Sequence, residues 1–364
     1  VGPEGQTLGS DELGRNKVQF PWDRLGQKNQ HSSCWVRVSS PWAGNQLGGI
    51  HLPRIGQEVV VDFIGGDPDL PVCTGRVHNQ VTLPPWQLPG QPALSGWRSR
   101  ELTAQGGGNG AAGRSNHLVL DDTEAKIQAQ LKSDHQHSQL SLGHITRIED
   151  NAGRQDERGE GFELRTDGHG AIRARAGLYL STEAREQARA HVKDMGETVQ
   201  RLAQAHDRHD ALALLAEHHR VQEAGEDQKA VAEEIKAQND AIRGAGAEGR
   251  FPELSQPHLV ASSPAGIETT TVGTTHIASG EHTALTSGGH TSIASAKSLL
   301  ASALEAIRLF AHRAGIRLFA AKGAVQIQAQ DDAVELIAKR AIELISASDW
   351  IRLSAKEGIS LEVP

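Results

Sequence analysis

Between Ile307 and Leu361 the chain carries seven apolar pairs, each split by one polar residue. They are Ile307/Leu309, Ile316/Leu318, Val325/Ile327, Val334/Leu336, Ile342/Leu344, Ile351/Leu353 and Ile359/Leu361. The residues between are Arg308, Arg317, Gln326, Glu335, Glu343, Arg352 and Ser360. Successive pairs begin eight or nine residues apart. The Ala, Leu, Glu, Lys and Arg content favours helix by propensity alone. On a helix, however, residues i and i+2 lie about 200° apart, on opposite faces. On a strand they share a face. The pairs therefore predict short strands joined by corners, in a solenoid or prism whose buried core the first six pairs supply.

The repeat continues upstream with a different texture. Ile277, Leu285 and Ile293 stand eight apart, in the octads IASGEHTA, LTSGGHTS and IASAKSLL. Gly266, Gly273, Gly280, Gly288, Gly289, Gly315, Gly323 and Gly358 are spread along the same stretch, as corners require. The apolar residues form a line and not a cluster, so no single-chain globule is encoded there.

Earlier segments alternate as well. Leu118/Leu120, Ile127/Ala129/Leu131, Leu140/Leu142, Phe162/Leu164, Ile172/Ala174 and Leu178/Leu180 read as strand pairs, with turns at Asp121-Asp122 and Asp167-Gly168. They predict a wider first part of the same prism over 115–182. Residues 183–257 break the pattern. Ala188, Val192, Met195, Val199 and Leu202 follow helical spacing, with Ser181 or Thr182 as a cap and Glu183 and Glu186 in the first turn. Ala224-Gly225 interrupts. Val231, Ile235 and Ile242 mark a second helix, ended by Gly244, Gly246, Gly249 and Pro252. The heptad lasts about two repeats, which favours an inserted hairpin on the prism flank over a trimeric coiled coil.

Residues 1–80 predict a five-stranded OB-like barrel. Its strands are expected at Lys17–Phe20, Cys34–Ser39, Gly49–Leu52, Glu58–Phe63 and Pro71–Val77, with a turn at Gly65-Gly-Asp-Pro-Asp69. Trp22, Trp35, Trp42, Trp86 and Trp97 concentrate in the first hundred residues, so an ordinary core is expected near that end. Residues 81–114, with Pro84, Pro85, Pro89, Pro92 and glycines over 106–113, read as linker. The last stretch, 258–364, is the β-prism needle. The chain opens on Val1 and a turn-forming Gly-Pro-Glu-Gly, and is expected to be a fragment. No run of 18 apolar residues occurs.

The run SSCWVRVSSPWAG (32–44), followed by LPRIGQEVVVDFIGGDPDLPVCTGRVHN (52–79), resembles the OB-fold domain of the VgrG family. These are the spike proteins of type VI secretion systems, related to contractile phage tail spikes. The linker, the Gly-rich patch, NHLVLDD and the β-repeat tail follow in family order, so the resemblance covers nearly the whole chain. It implies a mainly β fold: an OB-like barrel, then an intertwined homotrimeric triangular β-prism with an inserted helical hairpin. It further implies a spike that pierces a target membrane and carries effectors with their adaptor proteins. A PAAR-type tip protein would sit on a platform at Ile359, Leu361 and Val363. A further base, outside these residues, would dock on the tail-tube protein Hcp. Assembly would occur in the bacterial cytoplasm, before translocation into a target cell or the medium.

Composition and motifs add exclusions. The formal charge of −8 argues against a nucleic-acid partner. Cys34 and Cys73 are read as buried thiols outside any disulfide framework. GNGAAGRS (108–115) departs from a P-loop at Arg114 and follows a poor strand. His206/His209 are one helical turn apart, and His282/His290 hold equivalent octad positions. No cysteine or carboxylate completes either as a metal site, so both read as solvated surface. Asp121-Asp122 reads as a turn and not as a glycosidase pair. No catalytic motif and no cofactor is expected. One alternative stays open: a single-chain solenoid enzyme or adhesin acting on surface polysaccharide, with about 25 residues per rung.

Overall fold

The computed structural model describes residues 1–102, 113–221 and 228–362. Most of the P-loop-like stretch, the Ala224-Gly225 break and Val363 lie outside the described residues. The chain divides into two units, Val1–Arg173 and Ala174–Pro364.

The first unit begins with five short strands: β1 (Arg37–Val38), β2 (Ala43–Gly44), β3 (Leu47–Gly48), β4 (Val59–Phe63) and β5 (Pro71–Arg76). They form a sheet in the order β1-β5-β4 and a separate β2/β3 hairpin. Val18, Val36 and Cys73 make the core, with Phe20, Val38 and Val59 packed on them. The turn at Gly65 and Gly66 falls as expected, both at positive φ. Two expected strands differ. Lys17–Phe20 forms none, because Val18 N–H donates to the Ser33 hydroxyl, and only Asn16 bridges to Val36. Gly49–Leu52 is also irregular, since the β2/β3 hairpin absorbs the pairing just before it. The tryptophans do not build the core. Trp22, Trp35, Trp42 and Trp97 are exposed, and Trp86 alone among those five is buried. Cys34 is exposed, against expectation; Cys73 is buried, which pushes its thiol pKa up.

A five-stranded antiparallel meander follows: β6 (Leu94–Arg98), β7 (Asn116–Asp121), β8 (Gln128–Ser133), β9 (Ser138–Glu149) and β10 (Gly153–Arg165). This corrects two expectations. The proline-rich stretch holds β6, paired residue for residue with β7. Its prolines lie upstream of that strand, and Trp86 among them packs on Val119, Ile148 and Leu94. Residues 116–165 form a sheet whose short loops reverse the chain, as hairpins do, where prism corners would carry it onward. Ile172/Ala174 is not strand.

One face of this sheet is sealed by a polar network. His117 Nε2 meets Gln130 Oε1 at 2.7 Å, and Gln130 Nε2 donates to Ser141 Oγ at 2.9 Å. Arg154 Nη1 donates to the buried Asp121 at 2.6 Å, and Thr123 donates to its other oxygen. Asp121 therefore ends a strand as an ion-paired anchor. Arg154→Met should leave that carboxylate buried without its cation. A loss of about 3–5 kcal/mol is expected, read as a lowered denaturant midpoint. Adding Asp121→Asn should restore part of it.

In the second unit β11 (Leu178–Ser181) pairs in parallel with β12 (Leu259–Ser262). Helices α1 (Gly196–His218) and α2 (Gln228–Arg243) lie between them in sequence. They form the expected hairpin. Met195, Ile242 and Val260 are its core, with Tyr179, Val199, Leu202 and Leu254 around them. Asn239 Nδ2 donates to Leu202 O at 3.1 Å and ties the helices together. Gly244 closes α2 at φ 81°, where a Cβ would strike the Pro252 carbonyl. The start of α1 is a correction. The chain is non-helical through Met195 apart from a 3-10 turn at Glu186–Ala188, and Val192 is 97% exposed. Pairing with β12 holds Ser181 extended, so neither Ser181 nor Thr182 caps the helix.

The expected prism core is a further correction: in the single chain it is exposed and not buried. Leu309, Leu318, Leu336, Leu344 and Leu353 are all exposed, contrary to expectation. So are Ile307, Ile316, Val325, Ile327, Val334, Ile342 and Ile351. The physical reason is that a single winding strand has nothing opposite it. Each run offers its pair to the axis, but one chain leaves that axis open, and a line of apolar residues cannot close on itself. In each of these six pairs the second residue is more exposed than the first, as Leu309, Leu318, Leu336, Leu344 and Leu353 are beside Ile307, Ile316, Val334, Ile342 and Ile351.

Candidate functional site

From 263 to 362 the backbone is a succession of extended runs and bends. Bends fall at 264–265, 272–273, 280–281, 288–289, 296–297, 304–305, 312–314, 321–323, 330–332, 339–340, 347–349 and 356–357. The run between any two is six residues long throughout, so the alternation of eight and nine resides in the corners. Each apolar pair sits mid-run. Among the described residues these runs form neither a strand nor a ladder, because the single chain offers them no partner to pair with.

Exposure still separates two faces. From Ile307 to Ile359 the paired residues are 51–69% exposed. Leu300, Phe319, Ile337, Ile345 and Trp350, at the alternate positions, are 77–91% exposed, while Phe310, also at an alternate position, is 37% exposed beside His219. The alternation thus has an inner and an outer side even without burial. Leu361 is the exception at 89%, and Val363 lies outside the described residues.

The upstream corners use a device that glycine counting misses. Ser263, Thr271, Ser279, Ser287 and Ser295 each accept the N–H two residues ahead, at 3.1–3.4 Å. These hydroxyls recur every eighth residue, a signal present in the sequence. Ser279 and Ser287 also donate to the carbonyls of His282 and His290. Both histidines open their runs on the side opposite Thr283/Leu285 and Thr291/Ile293, away from the inner face.

The outer face is touched by α1 at regular intervals. Thr198 Oγ1 lies 2.7 Å from Ser262 Oγ, and Arg201 donates to the same oxygen. His209 Nδ1 lies 3.2 Å from Thr286 Oγ1. The His219 ring sits 5.6 Å from Phe310 and 5.3 Å from His312. Ser262, Thr286 and Phe310 are twenty-four residues apart, three octads each time, at the same place in the octad. At about 1.5 Å per residue, successive contacts are about 12–17 Å apart along the helix. Adjacent strands lie about 4.8 Å apart. Measured along α1, a step of three octads thus corresponds to about three strand spacings.

A second apolar surface lies in the first unit. Cross-strand pairing aligns Trp97, Leu118, Leu131, Leu140 and Leu164 in one row over all five strands of the meander. Leu120, Ala129, Leu142 and Phe162 form the next row. The leucines and both aromatics are exposed, while the polar network seals the opposite face. A soluble chain rarely shows so continuous an apolar sheet face without a partner to cover it.

Three family models match along the chain. Residues 7–78 match the type VI secretion system/phage-baseplate injector OB domain. Residues 108–216 match the putative type VI secretion system Rhs element Vgr, and 246–364 a domain described only as conserved in bacteria. The spike protein VgrG2b of Pseudomonas aeruginosa is 38% identical over 349 residues, 96% of this chain and 33% of that protein. The chain belongs to the VgrG family of type VI secretion spike proteins. A solved VgrG spike is 26% identical at a TM-score of 0.60, covering 72% of this chain and 88% of that one. A solved complex of the Tle1 effector bound to the VgrG spike is 27% identical at the same score, covering 72% of each chain. The chain thus spans about a third of the length of its VgrG2b relative.

Of the side chains singled out for possible chemistry in this VgrG-family chain, those of Arg114, Asp121, His206 and His209 are engaged in structure. Among the described residues no group of three or more His, Cys, Asp or Glu could hold a metal ion. Arg114, the residue that spoils the P-loop pattern, donates to both oxygens of Glu101. Those hydrogen bonds hold the Glu101 carboxyl down to about 2. The guanidinium is thus engaged by a carboxylate. Among the described residues no helix is long and apolar enough to cross a membrane.

Proposed function

We propose that this chain forms the shaft of a homotrimeric puncturing spike of a type VI secretion system. The observation that carries the reading is the spacing of α1 contacts. A single-chain solenoid climbs one strand spacing per turn and pairs each rung with the next. Here three octads, one turn in this reading, correspond to about three spacings along α1, and the described runs find no partner strand in their own chain. The gap accommodates two further strands, one from each of two other copies. Three identical chains wound together about a threefold axis would complete every ladder. They would also turn the pairs that stand exposed in one chain, Ile307/Leu309 through Ile351/Leu353, into a dry axis. The apolar meander face would be covered by the same association.

The function follows mechanically and needs no turnover. A hydrogen-bonded prism resists axial load, and its end presents strand edges and apolar side chains to a binding protein. Ile359 and Leu361, with Val363 beyond the described residues, form the platform for a PAAR-type cone protein in this reading. Effectors with their adaptors would ride on the shaft, and a base outside these residues would seat on Hcp. Assembly in the bacterial cytoplasm would precede delivery through a target membrane. Nucleic acid has no role in it.

Light scattering tests the assembly. The expected mass is three times 39.0 kDa. The band should also persist at that size in unheated detergent gels, because interlocked strands release slowly. A monodisperse species of 39.0 kDa would overturn the trimer and return the single-chain solenoid, with its polysaccharide chemistry, to first place.

A further inference from the structure

Helix α1 has a needle-facing stripe that its own chain only partly covers. Thr198, Arg201, His209 and His219, which touch the needle, define that side of the helix. At 100° per residue Leu212 falls in the middle of the stripe. It is nevertheless 52% exposed, although the contacts flanking it at His209 and His219 are made. Something that the single chain does not supply belongs beneath Leu212.

We propose that α1 is a clasp between protomers, with Leu212 seated on Ala294 of a second copy. The inference rests on the trimeric reading above. Three chains related by a threefold axis carry equivalent runs at equal height on three faces. The next strand up on any face is then the following octad of another copy. Between Thr286 and Phe310 of one chain lie Ala294 of a second copy and Ser302 of the third, at the same octad place. Leu212 is three residues beyond His209, or about 4.5 Å along the helix, which is about one strand spacing. The next turn of the helix passes over Ser302. Both positions carry small side chains, so the helix can lie close to the prism. Each hairpin thereby spans strands of all three chains, and three hairpins bind the assembly where the needle begins.

The test uses two differently tagged versions of the full chain, each with Cys34→Ser, expressed together. One carries Leu212→Cys and the other Ala294→Cys; both sites are exposed in the single chain. Disulfide geometry demands Cβ atoms within about 4.5 Å, so oxidation reports the contact. The expected result is a cross-linked dimer that holds both tags and disappears on reduction. Leu212→Cys paired with Ala278→Cys, the same octad place one strand below Thr286, should give none. A trimer by light scattering without the cross-link overturns the clasp and leaves the trimer standing. Equal linkage to Ala278→Cys also overturns the clasp. A 39.0 kDa monomer overturns both readings.

Discussion

Val325→Asp is expected to abolish the trimer, while Gln326→Asp, one residue along, leaves it intact. Val325 and Ile327 share the inner side of one extended run, at 56% and 67% exposure in the single chain. In the assembled prism each would lose its remaining water. A threefold axis brings three copies of any inner residue together, so the variant places three carboxylates in one dry layer. Burying an unpaired carboxylate costs several kcal/mol even after relaxation, and like charges prevent the three from helping one another. The sum reaches the whole stability of a typical fold, about 5–15 kcal/mol. Gln326 faces the other way, bonded to Gln328 on the same outer side, so its replacement should change stability by under about 0.5 kcal/mol. Size-exclusion chromatography with light scattering reads both. Equal damage from the two would mean that the inner and outer sides are wrongly assigned.

Deleting residues 358–364 should leave the trimer whole and eliminate capture of the cone protein. Six apolar pairs, from Ile307/Leu309 to Ile351/Leu353, lie upstream and hold the chains together. The deleted segment holds Ile359 and Leu361, the platform residues of this reading. An open ladder end beside apolar side chains binds a complementary surface by adding to both. A pull-down with the cognate PAAR-type protein should fall to background, with the trimer mass reduced only by the residues removed. Full-affinity capture by the truncated trimer would move the binding site elsewhere and sink the platform assignment.

That the needle is not helical was legible, because a pair with one residue between is incompatible with a helical stripe. The burial of those pairs was not. Leu309, Leu318, Leu336, Leu344 and Leu353 have the alternation of core residues, yet stand exposed because alternation fixes a face and not what covers it. The corners were half legible: Gly315, Gly323 and Gly358 stand out, whereas the hydroxyls from Ser263 to Ser295 look like ordinary polar filler until the bends are known. The meander was misread for a physical reason. Leu118/Leu120 and Val325/Ile327 alternate identically, and nothing in a strand says whether its corner turns onward or back. Prolines hid β6, although all of them precede it. At the start of α1, Met195, Val199 and Leu202 do pack in one core, but Val192 belongs to an irregular approach that shares the spacing by chance. The role proposed for Leu212 leaves no mark in the sequence, since it depends on which octad of another copy lies next to Thr286.

The unpaired runs of the needle also have a genetic consequence. In the trimeric reading, a chain that cannot complete any ladder alone depends on both of its companions at every level of the shaft. One defective copy therefore spoils the product of two sound ones. In a cell making sound and defective chains in equal amounts, random association would leave about one assembly in eight free of the defect. A missense allele such as that for Val325→Asp escapes this if its product never joins. One that still joins but fails at the tip would act as a dominant inhibitor of secretion, silencing most of the spikes built from the healthy gene.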